Sequence, residues 1–377
     1  MKAYSIIVSV FSICILLFGF TAVEVSQDQK TIDNSGNEQV TDQIRIGEGT
    51  TVQNLTLFMI TGNEKISGNV YKTLSEAMDT KEVMVKETGS VNQLLLDNNS
   101  DDYIFIHSGD IVKGGKQDRT ISYDVIIPPN SKDVALQSFC VEQGRWRQRG
   151  NETLSSFGSN TKMLSSRELK LAARHEKNQS MVWGKVSEQQ DRLNKNLSRK
   201  NGKAINVANE ESQTSLQLAL ESKELATAKE EYYNKLKDLI DMNNAMGYAY
   251  AINGEVYGVE LYNNHKLFKS LWGKILESVI VEAISEQKDA DLASCTKVDV
   301  QTFMNAVKNQ SNEVVKNINK TTNFKTVEDK IGNIVFITED MDEKRWVHKS
   351  YMKNEKTMVS EYKNKSLPNM RVQQRHR

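Results

Sequence analysis

The sequence predicts an α+β protein, with a mainly antiparallel β-sheet in its N-terminal half and packed helices with a β-hairpin in its C-terminal half. Runs rich in Ile and Val, joined by short Gly or Pro connections, fill residues 45–143, and short connections favour antiparallel pairing. Helical periodicity begins at Ser166. Asn253-Gly254 then interrupts an alternating segment, which is a strong hairpin signal.

The composition sets the broad class. The chain has 377 residues, enough to bury a large core without a metal or a disulfide framework. Its 49 Lys and Arg balance 49 Asp and Glu, so no overall field attracts nucleic acid or membrane. We therefore expect no nucleic-acid partner and no cofactor, and the oligomeric state stays open.

Residues 1–22 carry one early cation, Lys2, and then an almost uninterrupted apolar run, which is typical of a signal peptide or an N-terminal anchor. Ala22 suits a cleavage site, but the bulky Phe20 does not. Residues 23–44 are polar and lack periodicity, so they indicate a flexible leader. We expect an exported protein that is secreted, periplasmic or membrane-anchored at the cell envelope.

The first elements are strands and one short helix. A half-buried strand is predicted within TVQNLTLFMITG, and a short helix within KTLSEAMDTKEV. Turn residues then separate three strands rich in Ile and Val: YIFIHSGDIVKGG, TISYDVIIPP and VALQSFCV. A Ser-rich linker follows.

Helices come next in the chain. SRELKLAARHEK forms a short helix with Ser166 as its N-cap, and QSMVWGKVSEQQDRLNKNL a longer one. After a polar loop, apolar residues repeat at seven-residue spacing over LQLALESKELATAKEEYYNKLKDLIDMNN, which predicts one amphipathic helix. Further elements are the Asn253-Gly254 hairpin, helices over HKLFKSLWGKILESVIVEAIS and VDVQTFMNAVKN, and a closing strand pair, GNIVFITED and EKRWVHKSYM.

We predict one domain over residues 45–352 and a basic flexible tail over residues 353–377. Residues 343–377 hold ten Lys or Arg against three Glu, a net charge of +7. A solvated tail is the simpler interpretation, and weak adhesion to anionic lipid is the alternative. Membrane contact is thus expected only through this tail or an uncleaved N-terminus.

The segment HSGDIVKGGKQDRT is a glycine-rich turn. It lacks the Ser or Thr of a phosphate-binding loop, and a strand rather than a helix follows it. Gly114-Gly115 allows close backbone approach or positive φ. Gln117 and Arg119 would share one strand face and could meet a ligand. Alternatively, Arg119 forms a salt bridge that fixes the turn.

The segment FCVEQGRW ends the last predicted strand of this region. Gly144 breaks the strand and redirects Arg145 and Trp146, a pair that can stack on a planar ligand and grip an anion. Alternatively, Trp146 covers the core edge and Arg145 pairs with an acidic neighbour. Cys140 and Glu142 point the same way from the strand.

Catalysis would require one of three residues. Cys140 is a possible nucleophile if His107 lowers its pKa, and Glu142 a possible nucleophile or base, although a buried structural Cys is the commoner case. The five histidines are scattered without ligand spacing, so no metal site is predicted. A G-x-S-x-G motif is absent.

Together these motifs resemble the ARG and rhodanese-phosphatase-superfamily-associated protein domain. The resemblance rests on GGKQDRT, CVEQGRW, NQSMVW and GYAYAINGEVYGVELYNNHKLF. The family pattern maps onto three sets of residues: Gly114, Gln117 and Arg119; Cys140, Val141, Glu142, Gly144, Arg145 and Trp146; Gln179 and Trp183. If these regions meet, one pocket is lined by Gln117, Arg119, Glu142, Arg145, Trp146 and Trp183.

The resemblance implies no particular reaction, because the family is named for its association with ADP-ribosylglycohydrolase and rhodanese-phosphatase proteins. We expect an exported binding or scaffold module with a pocket for a small, anionic, planar ligand. The alternatives are a hydrolase or transferase acting on a nucleotide or ADP-ribosyl substrate, and a purely structural envelope protein.

Overall fold

The computed structural model describes residues 44–62, 69–288, 293–308, 313–329 and 332–354, without the side chains of 160–162 and 307–308. The expected signal segment, nearly all of the leader and the tail beyond residue 354 lie outside these ranges. None of the helices in the described part of the chain is both long and apolar enough to cross a membrane.

The largest sheet in the described part of the chain has eight strands, and every neighbouring pair in it is antiparallel. Some pairs are joined by short turns, and others are far apart in the sequence. In spatial order they are β1 (Arg45–Val52), β2 (Leu55–Thr61), β12 (Ala245–Ile252), β13 (Glu255–Tyr262), β17 (Arg345–Met352), β16 (Ile334–Asp340), β15 (Thr322–Glu328) and β14 (Glu313–Asn317).

Two smaller sheets come from the first half of the chain. The six-stranded sheet runs β11 (Phe157–Leu164), β7 (Asp110–Gly114), β8 (Arg119–Ile121), β10 (Ser131–Cys140), β5 (Gln93–Asn98) and β4 (Val83–Glu87). The three-stranded sheet runs β3 (Tyr71–Thr73), β6 (Tyr103–Ile106) and β9 (Val125–Ile127), and β3 pairs in parallel with β6.

Within the described residues seven α-helices accompany the sheets: α1 (Leu74–Asp79), α2 (Arg167–Arg174), α3 (Gln179–Asn201), α4 (Leu216–Leu220), α5 (Lys223–Leu236), α6 (His265–Ser285) and α7 (Lys297–Lys308). Helix α6 is the central one. Its apolar residues, among them Leu271, Ile275 and Val279, lie in one core cluster with side chains from β2, β12 and α5. A helix so thoroughly buried needs apolar residues on more than one face, which its sequence supplies.

The mainly antiparallel α+β prediction is confirmed, and strands from both halves of the chain share the eight-stranded sheet. The hairpin at Asn253-Gly254 joins β12 to β13, and both turn residues have positive φ, 53° and 81°. These are the dihedral angles that a tight two-residue turn between right-twisted strands requires.

Three local predictions need correction. The strand expected within TVQNLTLFMITG is two strands, because the chain reverses after Gln53, whose φ is 51°. The single amphipathic helix breaks into α4 and α5, because Ser222 adopts an extended conformation (φ −61°, ψ 143°) and starts a new helix. The Ser-rich linker ends in strand β11, which pairs with β7.

Candidate functional site

The double-glycine turn connects β7 to β8. Gly115 has φ +54°, and a Cβ added there would lie 2.4 Å from Cζ of Phe157, so this position requires glycine. Asp118 closes the turn, because its Oδ1 accepts a hydrogen bond from the Gly114 amide at 2.9 Å. The conformation of the turn is therefore fixed by the buried Asp118 carboxylate.

The turn and the corner after β10 fold against each other, which is the condition on which the predicted pocket depended. Strand β10 pairs with β8, with Cys140 opposite Arg119. The Gln117 side-chain amide donates to the main-chain oxygen of Glu142 at 2.8 Å, and the Asp118 amide donates to the Glu142 carboxylate at 3.2 Å. The two segments thus form one continuous hydrogen-bonded unit.

Two arginines tie this unit together, and we call the network of Asp118, Glu142, Arg145 and Arg149 the arginine brace. Arg149 donates from both terminal nitrogens to the two carboxylate oxygens of Asp118, each at 2.9 Å. Arg145 donates through Nε to Glu142 at 2.7 Å. All four residues are at most 7% exposed. Buried charges are stable only when they are paired in this way.

The other donors of Arg145, and the guanidinium of the neighbouring Arg119, also point into the fold. Arg145 donates to the main-chain oxygens of Gly115 at 3.2 Å and Gly114 at 3.1 Å. Arg119, which is fully buried, donates to the Gln117 oxygen at 3.0 Å, and its Nη2 lies 3.5 Å from a Glu87 carboxylate oxygen. Both arginines therefore point into protein, whereas the sequence predicted that they line a pocket, and Nε of Arg119 makes no hydrogen bond within the described residues.

The brace leaves the residues between its two arginines outside. We call residues 143–148 the corner loop. Trp146 is 55% exposed, so it does not form a pocket floor, and Arg147 and Gln148 are exposed beside it. Arg145 also donates to the Arg147 main-chain oxygen at 2.7 Å. A tryptophan held outward by buried charges on either side is the most distinctive surface feature of this region.

Gln179 and Trp183 lie on α3, and the first residue of this helix contacts the last residue of β10. The Gln179 amide accepts from the Cys140 N–H at 2.9 Å and donates to the Cys140 carbonyl at 2.8 Å. It therefore pairs with Cys140 as a neighbouring strand would. Trp183 is half-buried. We call the Gln179–Cys140 pair the amide clamp.

The Cys140 thiol is poorly placed for nucleophilic attack. The residue is fully buried, and burial raises the pKa of its thiol to about 11. The thiolate is the reactive form, so this environment suppresses reactivity. His107 does not act on it, because the two ring nitrogens of His107 contact the Tyr262 hydroxyl at 2.9 Å and the Ser108 carbonyl at 2.6 Å.

His107 belongs instead to a second buried network, which we call the histidine cluster: His107, Asp124, Glu260, Tyr262 and His348. His348 contacts Asp124 through Nδ1 and Glu260 through Nε2, each at 2.7 Å. Its ring stacks on Tyr262, with centroids 4.5 Å apart. All five residues are buried, with at most 3% of their surface exposed, and Tyr262 has no exposed surface.

The two imidazoles of the cluster have opposite protonation preferences. Burial, reinforced by the nearby charge of Lys170, lowers the pKa of His107 to about 3. Burial also works against the charged form of His348, but Asp124 and Glu260 outweigh it and raise the pKa of His348 to about 9. At neutral pH a neutral imidazole therefore lies beside an imidazolium, with ring centroids 4.7 Å apart.

Sequence reasoning identified only His107 of this cluster. The other members come from distant segments, and Tyr262 and His348 meet only because β13 pairs with β17 in that register. One signal was present: Glu260 stands in the otherwise apolar run GVELY, and His348 in a strand next to Val347. A charged residue inside a buried strand requires a partner, which predicts a polar network without identifying it.

Comparisons with known proteins add one finding. The family model described as the ARG and Rhodanese-Phosphatase-superfamily-associated Protein domain matches residues 43–352. Neither the curated proteins nor the solved structures gave a match.

Proposed function

The chain belongs to the ARG and Rhodanese-Phosphatase-superfamily-associated Protein domain family, and we propose that it is an exported ligand-binding module whose corner loop takes a small, anionic, planar ligand. The observation that carries the proposal is the exposure of Trp146, at 55%, between two buried and ion-paired arginines. Export rests on the sequence of residues 1–22.

The brace supports binding because it prepares the loop before a ligand arrives. Arg145 and Arg149 fix both ends of the segment that carries Trp146 and Arg147. A loop already held in one conformation loses less entropy when it binds, so more of the contact energy remains as affinity. Exposed tryptophan and arginine are also the residues that most often dominate binding surfaces.

The chemistry of the exposed pair defines the ligand class. The indole of Trp146 offers a flat apolar face for stacking, and the Arg147 guanidinium offers a fork of donors that matches a carboxylate or a phosphate. Arg147 therefore takes the role that the sequence assigned to Arg145, whose own donors are committed to Glu142 and the backbone. Nucleotides and aromatic carboxylates have both features.

A hydrolase or transferase built on Cys140, Glu142 or His107 is less well supported. The Cys140 thiol is buried with a raised pKa, and both Glu142 carboxylate oxygens lie close to arginine nitrogens, at 2.7 and 3.4 Å. A general base must be able to reach the proton that it abstracts, and these groups are already occupied within the fold.

The experiment uses tryptophan fluorescence and thermal unfolding with a panel of nucleotides and sugar phosphates. At least one compound should quench emission and raise Tm, since a ligand at 100 times its Kd stabilises by about 2.7 kcal/mol. Trp146→Ala and Arg147→Ala should each abolish the shift, whereas Gln148→Ala, in the same loop, should retain it. A panel without any effect, or a shift that survives Trp146→Ala, would refute the proposal.

Export needs its own measurement. We expect the protein from an envelope fraction to begin after residue 22, or to keep its N-terminus and sediment with membranes, as judged by mass spectrometry of its N-terminal peptide. Recovery of the intact chain in the soluble cytoplasmic fraction alone would contradict export without touching the binding proposal.

A further inference from the structure

We infer that the histidine cluster is a binding site for one divalent transition-metal ion of the zinc type, with His107 Nε2, His348 Nε2 and the Glu260 carboxylate as ligands. The ligand atoms offered by these three residues lie within 4.8 Å of one another. Two imidazoles and one carboxylate are a donor set that zinc binds well, and that Mg²⁺ and Ca²⁺ bind poorly. The site is independent of the corner loop.

The surrounding hydrogen bonds are those of a metal-binding histidine pair. A ligating imidazole usually holds its other nitrogen against a carboxylate or a carbonyl, which fixes the tautomer and aims the free lone pair. His107 Nδ1 lies 2.6 Å from the Ser108 carbonyl, and His348 Nδ1 lies 2.7 Å from Asp124. Both Nε2 atoms are thereby left to face Tyr262 and Glu260.

A further layer fixes the orienting carboxylate. Asp124 accepts from the Ser108 amide at 2.6 Å and from the Thr338 hydroxyl at 2.6 Å. Its orientation is therefore set by the fold, independently of His348. Such support holds the His348 ring in one orientation, which a preorganised metal site needs.

The contact between His348 and Glu260 marks the position of the ion. At 2.7 Å, one proton is shared between His348 Nε2 and the Glu260 Oε2 atom. When a cation binds, that proton leaves to solvent and the ion takes its place between the same two atoms. The Tyr262 hydroxyl lies 2.9 Å from His107 Nε2, so it is the polar group beside this ligand nitrogen.

Two buried cations oppose the ion, Lys170 and Arg174, and Arg174 interacts electrostatically with Asp124 and Glu260. Lys170 is 7% exposed and interacts electrostatically with both Glu260 and His107. Its ammonium therefore lowers the affinity for a cation. Removal of Lys170 should therefore increase the affinity for the metal ion. Misfolding would decrease this affinity, so the two effects are distinguishable.

The experiment uses the full chain after treatment with a chelator and dialysis. Titration with Zn²⁺ in a calorimeter should give one equivalent bound, with release of a proton that shows as a buffer-dependent heat. Co²⁺ should give the visible absorption of a tetrahedral nitrogen and oxygen site. It should lack a sulfur-to-cobalt charge-transfer band, which excludes binding by the cysteines.

Variants then assign the ligands. Asp124→Asn should weaken binding by about 10–100-fold, and His107→Gln should abolish stoichiometric binding, whereas His175→Gln, at a half-buried histidine elsewhere, should leave it unchanged. Lys170→Met should tighten it. The inference is overturned if the unaltered chain binds no stoichiometric Zn²⁺, or if folded His107→Gln, judged by circular dichroism, binds as well as the parent.

Discussion

The arginine brace and the histidine cluster are both buried polar networks, yet they differ in how the chain builds them and in what they leave available. The four charged residues of the brace lie between positions 118 and 149, and each carboxylate meets a guanidinium. The cluster collects its residues from four segments, at β6, β9, β13 and β17. The brace therefore stabilises one local region of the chain, whereas the cluster forms only after four distant segments have folded together.

The two networks also differ in which polar atoms are left for a ligand. In the brace the donors are consumed by carboxylates and main-chain oxygens, so the chemistry passes to the neighbouring Trp146 and Arg147. In the cluster His348 Nε2 lies 2.7 Å from the Glu260 carboxylate, and His107 Nε2 contacts the Tyr262 hydroxyl at 2.9 Å. A conspicuous charged motif can therefore be paired internally, while single polar residues within apolar strands form a second buried network.

The largest effect expected is that of removing one arginine from the brace. Arg149→Met deletes two contacts of 2.9 Å and leaves the Asp118 carboxylate buried without its main partner. We expect a loss of about 3–5 kcal/mol in the free energy of unfolding, measured with urea, because an uncompensated buried charge is costly.

The matched control for the brace is the neighbouring exposed arginine. Arg147→Met should change the free energy of unfolding by no more than about 0.5 kcal/mol, as surface substitutions do. Equal losses of unfolding free energy for Arg147→Met and Arg149→Met would show that the brace does not stabilise the fold. The contrast between the brace and the histidine cluster would then be wrong for the brace.

The next effect concerns pH and the histidine cluster in chelator-treated protein. The folded chain keeps the His348 proton to about pH 9, whereas an unfolded histidine releases it near 6.5. The stability contributed by this proton is complete below pH 6.5 and is lost as the pH rises through 9. The loss should be on the order of 3 kcal/mol in urea unfolding between these values.

On the acid side the sign is set by the other imidazole. The pKa of His107 is lowered to about 3, so below pH 6.5 the unfolded chain takes up a proton that the folded chain refuses, and stability falls. His348→Gln should remove the alkaline decline. Because His348 also lowers the pKa of Asp124, Glu260 and His107, the two curves are compared only over the alkaline range, between pH 6.5 and 9. Parallel curves would contradict the assignment.

The smallest effect compares two glycines of the brace region. Gly115 and Gly144 both have positive φ, +54° and +85°, but only at Gly115 would a Cβ meet Phe157, at 2.4 Å. Each alanine variant should lose about 1 kcal/mol from backbone strain. Gly115→Ala should lose about 1–3 kcal/mol more through overpacking. Thermal unfolding of both variants measures the difference, and equal Tm values would mean that the turn adjusts freely.

The fold could be predicted where the signal is local. Helix α6 spans the residues chosen from apolar spacing, His265–Ser285, and the Asn253-Gly254 turn joins the strands expected on either side. Strands β14 and β15 were missed because their exposed positions, such as Val314 at 66%, give no clear alternation. The break at Ser222 was missed because the seven-residue spacing continues across it, with Leu218 and Leu225 both buried.

The candidate sites divide in the same way. The sequence left the contact between the turn and the corner as a condition, and it did not identify the pairing partners, since Arg149 and Asp118 belong to no predicted set. The meeting of His107 with His348 depends on the order and register of sheet strands. Neither is encoded in the spacing of residues along the chain.

The position of β2 has a consequence for how the protein is made. Its residues Leu55–Ile60 are buried between β1 and β12, yet β12 begins only at Ala245. At about 5–20 residues per second, a ribosome needs roughly 10–40 seconds to supply the missing neighbour. During that interval the edge of β2 that later pairs with β12 has no partner, and unpaired apolar strand edges are the parts of a nascent chain most prone to aggregation.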